Sequence, residues 1–226
     1  MHFKKELEEL KQRREQASQM GGPDKVRRQH QQGKLTARER IELLMDSDTF
    51  QEYGLLATHQ SHRAEMADRI TPADGVITGF GQIDGRRAGV IAEDFTVLGG
   101  SVGVTHAMKK VRMVWIATQE RVPLVWLLDG AGARAEEFIG EGLPAVFHHL
   151  MIAKMSGIAP QVGVVMGPSS GDSSLVGSLL EFIIMVKGTG MLAAGGPPVV
   201  LTATGEKISK EELGGVEVHC VISGVA

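Results

Sequence analysis

Residues 127–137 read LLDGAGARAEE: the end of an apolar run, a glycine-rich turn, and the acidic first turn of a helix. Just upstream, Leu124-Val125-Trp126-Leu127-Leu128 is too continuously apolar for a strand with one face in water, and the strand is predicted over Pro123 to Asp129. The same order recurs at Val162–Met166. That run leads through Gly167 into PSSGDSSL (residues 168–175) and then into a second apolar stretch, Leu179 to Ile184. A third small-residue turn, GGSVG at residues 99–103, opens a helix predicted to run to about Arg121. Repeated strand–turn–helix units set successive strands side by side in parallel, with helices on their faces. The predicted class is α/β with mainly parallel sheets.

Working outward, the turn 130–134 leads into a long helix predicted from about Glu136 to Ser156, interrupted at Pro144. Two short strands are expected near Ile183–Val186 and Met191–Ala194. Before the parallel region, Val76–Ile83 and Ala88–Ala92 flank Asp84-Gly85-Arg86-Arg87, and Asp-Gly between apolar runs marks a hairpin. Residues 46–73 are polar and irregular. Thr36 with Glu39 fits a capping box, with Ile41, Leu43 and Leu44 expected on the buried face of the helix that follows. Residues 3–19 form an amphipathic helix with a thin stripe of Phe3, Leu7 and Leu10, broken at Met20-Gly21-Gly22-Pro23. A basic stretch from Lys25 to Gly33 completes an N-terminal helical arm, residues 1–33, ahead of a main domain over residues 34–226.

Composition limits the function. In 226 residues, 42% are hydrophobic, enough for a real core, yet aromatics are 4% and glycines number 29, so the core is aliphatic and the turns are tight. A formal net charge of −3 argues against general nucleic-acid or membrane-surface binding. The single cysteine, Cys220, allows no internal disulfide and no cysteine-based zinc site, and no metal site is expected. The first residues are charged, no signal or transit peptide is visible, and no run reaches the roughly 18 apolar residues of a membrane span. A cytoplasmic compartment is expected, or a mitochondrial matrix in a eukaryote.

PSSGDSSL admits three readings. A nucleophilic serine would need a G-x-S-x-G elbow and a histidine base, and no pattern selects a base among the 8 histidines. A phosphate loop of the G-x-x-x-x-G-K-[ST] type is absent. The third reading is a set of backbone N–H groups aimed at a substrate oxygen from a helix start. Gly171 would let a bulky thioester approach, and Asp172 would sit in the first turn or at the N-cap. A simple capped turn without function competes evenly with this reading.

Taken together, the turns resemble those of the carboxyltransferase subunits of biotin-dependent acyl-CoA carboxylases, which have crotonase-like folds. The family pattern D-S-G-G-A-R-I-Q-E-G looks like Asp129-Gly130-Ala131-Gly132-Ala133-Arg134-Ala135-Glu136-Glu137. The upstream G-G-S-x-G matches Gly99 to Gly103, with His106-Ala107 and Lys109 following. The later T-G-E-x-x-x-x-E-x-L-G-G-x-x-x-H looks like Thr204-Gly205-Glu206, Glu211, Leu213-Gly214-Gly215 and His219. Leu35 through Phe50 matches an early L-T-A-R-E-R-I motif. The resemblance covers the chain from about residue 34 to its end.

The resemblance implies stacked ββα units and transfer of a carboxyl group from carboxybiotin to the α-carbon of an acyl-CoA. The family's oxyanion turn G-P-C-A-G-G-A is matched by Gly167 to Ser173, so Gly171 and Asp172 would donate the two N–H groups that hold the enolate. Gly99, Gly100, Gly130, Ala131, Gly132, Ala133, Arg134 and Ser170 would line the substrate. At Arg134 a buried structural ion pair is expected ahead of a coenzyme A phosphate contact. The biotin ureido group would serve as base, so no protein acid–base dyad is required, and no covalent cofactor is implied. Expected partners are the acyl-CoA, a biotin carboxyl carrier or biotin carboxylase subunit, a C-terminal carboxyltransferase half, and further copies of the chain. Ser223-Gly224-Val225-Ala226 looks like the family's domain-linking segment, so the C-terminal domain is expected to be absent and the surface that meets it apolar.

Two departures stand out. Asp172 replaces the usual second glycine, so its carboxylate is expected to turn away from the substrate and cap the following helix. Gly130-Ala131 replaces Ser-Gly. Trp115 and Trp126 are expected in the core. At most one of His148 and His149 should face inward, in a packing or surface role with no carboxylate partner. Lys25, Arg27 and Arg28 are expected on a solvated face, with adenine-side phosphate contact the lesser reading. Two rivals remain: a stand-alone crotonase-like hydratase or thioesterase recruiting Asp172 or Glu137, and a non-catalytic assembly subunit.

Overall fold

The computed structural model describes residues 3–137 and 145–226. Three helices come first: α1 (Lys4–Ser18), α2 (Pro23–Gln31) and α3 (Ala37–Leu44). The capping box forms as predicted. Glu39 N–H donates to Thr36 Oγ1 (3.3 Å), and Thr36 N–H donates to the Glu39 carboxylate (2.7 Å). The buried face of α3 differs from the expectation. Ala37, Arg40 and Ile41 are buried and Leu44 is half-buried, whereas Leu43 is 76% exposed. The Arg40 guanidinium is drawn inward by Asp129, 2.8 Å away, and that turns the helix to place Leu43 outside.

The strands follow as β1 (Gln51–Tyr53), β2 (Val76–Ile83), β3 (Arg86–Glu93), β4 (Leu124–Leu128), β5 (Gln161–Val165), β6 (Pro168–Ser170), β7 (Phe182–Met185) and β8 (Met191–Ala193). The main sheet has the order β1-β2-β3-β4-β5-β7, and β6 pairs with β8 in a second, two-stranded sheet. β1, β2 and β3 are antiparallel, and β3, β4, β5 and β7 run parallel. Asp84 and Gly85 close the β2–β3 hairpin with φ of 50° and 73°, the left-handed pair that Asp-Gly supplies. The Asp46 carboxylate accepts both of their N–H groups, at 3.0 and 2.8 Å.

Helix α4 (Val104–Glu120) crosses from β3 to β4, and α5 (Ala145–Met155) precedes β5. Residues 135–137 are helical. The middle of the predicted 136–156 helix, with Pro144, lies outside the described residues. α6 (Asp172–Ser178) is short, because Leu179 ends it and the apolar stretch continues into β7. α7 (Pro197–Thr204) and α8 (Lys210–Gly214) come last, with a π-helical turn over Glu217–Ile222. No described helix is long and apolar enough to cross a membrane.

Alternation along the strands divides the core between two faces. Val76, Phe80, Ile91, Leu124, Trp126, Leu128 and Val165 point toward α4 and α5, where Met113, Val114, Ala117, Ile152 and Met155 meet them. Ile77, Val90, Ala92 and Leu127 point to the opposite face, against Ala37, Ile41 and Met45. Trp126 is fully buried as predicted. Trp115 is 54% exposed, because the core-facing stripe of α4 runs through Met113, Val114 and Ala117 instead. The C-terminal third carries exposed apolar side chains at Phe182, Ile184, Val199, Val221 and Ile222.

Replacing Ile41 by Ala should therefore cost about 2–5 kcal/mol in urea unfolding. Leu43→Ala, two residues away on the same short helix but on its exposed side, should stay within about 0.5 kcal/mol. Equal losses would place Leu43 in a contact that the fold does not contain.

Candidate active site

The three glycine turns meet at the carboxyl ends of the parallel strands. Ala131 N–H donates to Gly99 O (2.9 Å), Val102 N–H to Gly132 O (2.8 Å), and Arg134 N–H to Val102 O (2.8 Å). On the other side, Ser170 N–H donates to Gly130 O (3.1 Å). The turn after β4 is thus held between the other two. Glycine is required at the contacts: a Cβ on Gly130 would lie 2.5 Å from Glu93 Oε2, and one on Gly132, where φ is +91°, would lie 2.9 Å from Ser170 O. All the substrate-side residues expected from the sequence are brought to this junction. Gly99, Ser170 and Gly171 are partly open there, and Ala131 and Ala133 are exposed.

Of the two N–H groups expected to face a substrate oxygen, one is already engaged. Gly171 N–H donates to Ala194 O at 3.0 Å, because β6 continues its pairing beside β8 for one residue more. The N–H groups of Asp172 and Ala133 have no acceptor among the described residues. The two turns that carry them touch: a Cβ on Gly171 would sit 3.3 Å from Gly132 Cα and 3.9 Å from Ala133 N.

Beneath the turns lies a layer of buried charge. Glu93, at the end of β3, accepts from Asp129 N–H (3.0 Å), Ser173 Oγ (2.8 Å) and Lys110 Nζ (2.8 Å). Lys110 also donates to Asp172 Oδ2 at 3.1 Å. Burial disfavours the Lys110 ammonium, but the two carboxylates outweigh it and raise its pKa above 10.5. Burial likewise opposes the Asp172 carboxylate, yet above all the Lys110 ammonium holds it well below the usual carboxylate range.

Asp172 does turn its carboxylate away from the open junction, but it does not cap α6. The N-cap is Gly171 and no side chain caps it. The carboxylate instead faces Lys110, His148 Nε2 (2.9 Å) and His149 Nε2 (3.2 Å). Both histidines therefore face inward to a carboxylate, where at most one was expected, without one. Two adjacent helical residues diverge by about 100°, but their long side chains converge again over the start of α6. Arg134 is buried as an ion pair with Asp74 (2.8 Å) and Glu137, so it does not reach toward a coenzyme A phosphate. Glu137 also accepts Val104 N–H (3.0 Å) at the start of α4.

Near Gly99, Lys25, Arg28, Gln29, Gln32, Phe95, Thr96 and Leu98 line a cavity of ≈ 300 Å³ without an acidic side chain. Two of the arm's basic residues thus border the glycine turn, in place of the wholly solvated face expected.

The family of sequences described as "Carboxyl transferase domain" matches residues 28–226. The chain belongs to that family. It is 40% identical to the propionyl-CoA carboxylase carboxyltransferase subunit of Haloferax mediterranei over 100% of this chain and 44% of that protein. It is 41% identical to the propionyl-CoA carboxylase beta chain of Roseobacter denitrificans over 97% of this chain and 43% of that one. The solved structure of transcarboxylase 12S, a hexamer with methylmalonyl-CoA and methylmalonic acid bound, superposes with a TM-score of 0.87 at 37% identity, covering 97% of this chain and 43% of that one. The fold is the crotonase-like fold of these carboxyltransferases, as the sequence motifs implied. The chain spans less than half the length of these relatives.

Two outcomes test the buried layer. Lys110→Met leaves the Glu93 and Asp172 carboxylates facing each other without their shared ammonium, and should cost about 3–5 kcal/mol of stability; a loss under 1 kcal/mol in chemical denaturation would contradict the cluster. His106 is fully buried on α4, where burial first, and then Lys110 and Arg134, hold its pKa well below 6.5. Its neutral form is the folded form, so the stability it contributes is present above about pH 6.5 and is lost as pH falls below that value. His106→Gln should flatten the pH slope there by up to about 1.4 kcal/mol per pH unit.

Proposed function

We propose that residues 34–226 are the acyl-CoA-binding half of a biotin-dependent carboxyltransferase, with residues 1–33 as its helical arm. The observation that carries this reading is the pair of amides without an acceptor among the described residues, Ala133 N–H and Asp172 N–H, on two turns in contact at the open ends of the parallel strands. Removing a proton from the α-carbon of a thioester puts negative charge on the thioester oxygen. Fixed N–H donors stabilise that charge, and losing one typically costs about 3–4 kcal/mol. Gly171 contributes by lacking a side chain where the acyl group must approach, while its N–H is engaged elsewhere. Carboxybiotin, delivered by a carrier subunit, supplies the carboxyl group and the base.

Lys25 and Arg28 border the cavity beside Gly99 with the charge needed for the coenzyme A phosphates, and Phe95 and Leu98 supply apolar walls. The hydratase or thioesterase reading loses support on the same geometry. Asp172 is bound up with Lys110 and the two imidazoles, and Glu137 with Arg134 and Val104 N–H, so neither carboxylate is free to act on a substrate. The exposed apolar side chains of the C-terminal third suit a surface covered by a second carboxyltransferase half, with further copies completing the oligomer.

The amide assignment is tested by a pair of variants. Asp172→Asn keeps the N–H, and Asp172→Pro removes it at the first helical position, where proline is tolerated. With the second half and carboxybiotin supplied, Pro should fall below Asn by about 10²–10³ in kcat. Equal rates in two folded variants would remove Asp172 N–H from the mechanism. A charge-reversed Lys25→Glu/Arg28→Glu chain should bind acyl-CoA about tenfold more weakly and the corresponding acyl-pantetheine unchanged. Parallel losses for both ligands would move the phosphates elsewhere.

A further inference from the structure

His148 Nε2, His149 Nε2 and Asp172 Oδ1 lie within 4.8 Å of one another between α5 and the start of α6. Each imidazole nitrogen is within 3.2 Å of the same oxygen, yet neither contact has the alignment of an N–H···O hydrogen bond, and all three atoms are buried without a hydrogen-bond partner among the described residues. A lone hydrogen-bonded pair would aim one N–H at Oδ1. Here three donor atoms converge on a shared space.

The charge around them is unbalanced. Glu93 and Asp172 are two buried carboxylates sharing one ammonium, that of Lys110, which leaves one negative charge in a buried cluster. Lys110 occupies Oδ2, so Oδ1 is the oxygen still open to a second cation. Buried charge left unpaired is costly, so a cation is favoured at that spot.

We propose that His148, His149 and Asp172 bind a divalent transition-metal ion of the Zn²⁺ class, a site that ties α5 to the turn carrying the Asp172 amide. Imidazole nitrogens with a carboxylate oxygen suit Zn²⁺ and Co²⁺, whereas Mg²⁺ and Ca²⁺ demand oxygen ligands. Zn–N and Zn–O bonds of about 2.0–2.2 Å set tetrahedral donors roughly 3.4 Å apart, and the separations from Oδ1 here are 2.9 and 3.2 Å. Three protein donors leave a further position for water or a substrate oxygen. The site stands on these side chains alone and does not depend on the role given to the Asp172 amide.

The test uses the whole purified chain, stripped with chelator and then supplied with Zn²⁺ or Co²⁺. Elemental analysis after gel filtration should find the ion in equimolar amount, and Co²⁺ should give a visible d–d band. His149→Ala is the first variant, since His149 is 20% exposed and tolerates truncation; His149→Gln keeps the bulk if Ala does not fold. Either should weaken Zn²⁺ binding by a hundredfold or more, beyond the roughly 10–100-fold that a neighbouring non-ligand change costs. His62→Ala, on an exposed loop, should bind as the unchanged chain does. Zn²⁺ should raise the melting temperature of the unchanged chain and leave that of the His149 variant where it was. No retained ion and no Co²⁺ band in the unchanged chain would overturn the site and leave a proton on an imidazole as the balancing charge. Binding that survives the His149 change would place the ion elsewhere and overturn it equally.

Discussion

The Glu93 carboxylate is the point on which the rest of the site depends. It sits at the end of β3 and bonds the Asp129 N–H at the end of β4, the Ser173 hydroxyl in α6 and the Lys110 ammonium in α4. One side chain therefore sets the relative position of two strand ends, the start of α6 and the middle of α4. Of those segments, β4 and α6 adjoin the two turns in contact that carry the Ala133 and Asp172 amides. Rigidity of this kind is what preorganised hydrogen-bond donors need, since donors that must reorganise lose their advantage over water. The close approach also explains Gly130, where any side chain would collide with the carboxylate it lies against.

A second buried carboxylate extends the scaffold to the N-terminal segment. Asp129 receives Lys34 Nζ (3.0 Å), Arg40 (2.8 Å) and Gln29 Nε2 (3.0 Å). α2 and α3 are thereby attached to the base of the turn that follows β4. Gly21 lies so close to Thr96 that a Cβ could not be accommodated, and its N–H donates to Thr96 Oγ1 at 2.9 Å. These contacts bring Lys25 and Arg28 to the rim of the Gly99 cavity. The basic arm borders the Gly99 cavity through its attachment to Asp129, which composition alone could not reveal.

Local signals were legible in the sequence where they are carried by short spacing. The Thr36–Glu39 capping box, the Asp84-Gly85 hairpin, the apolar parallel strands and the three glycine turns each depend on residues within a few positions of one another. What was not legible depends on partners far apart in the chain. Arg40, rather than Leu43, faces inward because Asp129 lies 89 residues away at hydrogen-bond distance. Trp115 is exposed because the orientation of α4 is fixed by Lys110, whose partners Glu93 and Asp172 come from two other elements. His148 and His149 look like a surface pair until α6 brings Asp172 to them. The one available hint was Asp172 itself, a carboxylate at a position where the family pattern has glycine, which needed buried cations from somewhere in the chain.

That substitution raises the electrostatic question that the site must resolve. A carboxylate next to a developing oxyanion would oppose it by about 4 kcal/mol at 4 Å with an effective dielectric constant near 20. The fold separates the two roles of one residue. The Asp172 N–H has no acceptor among the described residues, while the side chain points into the buried layer, against Lys110. Lys110 alone does not cancel it, because Glu93 shares the same ammonium. Any further positive charge on Oδ1 would complete the neutralisation and stiffen the link between α5 and α6. Where the family motif reads glycine, this chain has a carboxylate with basic groups around it. In the function proposed above, the turn serves as a donor to an anion because its own anion is held, from behind, by groups from α4 and α5.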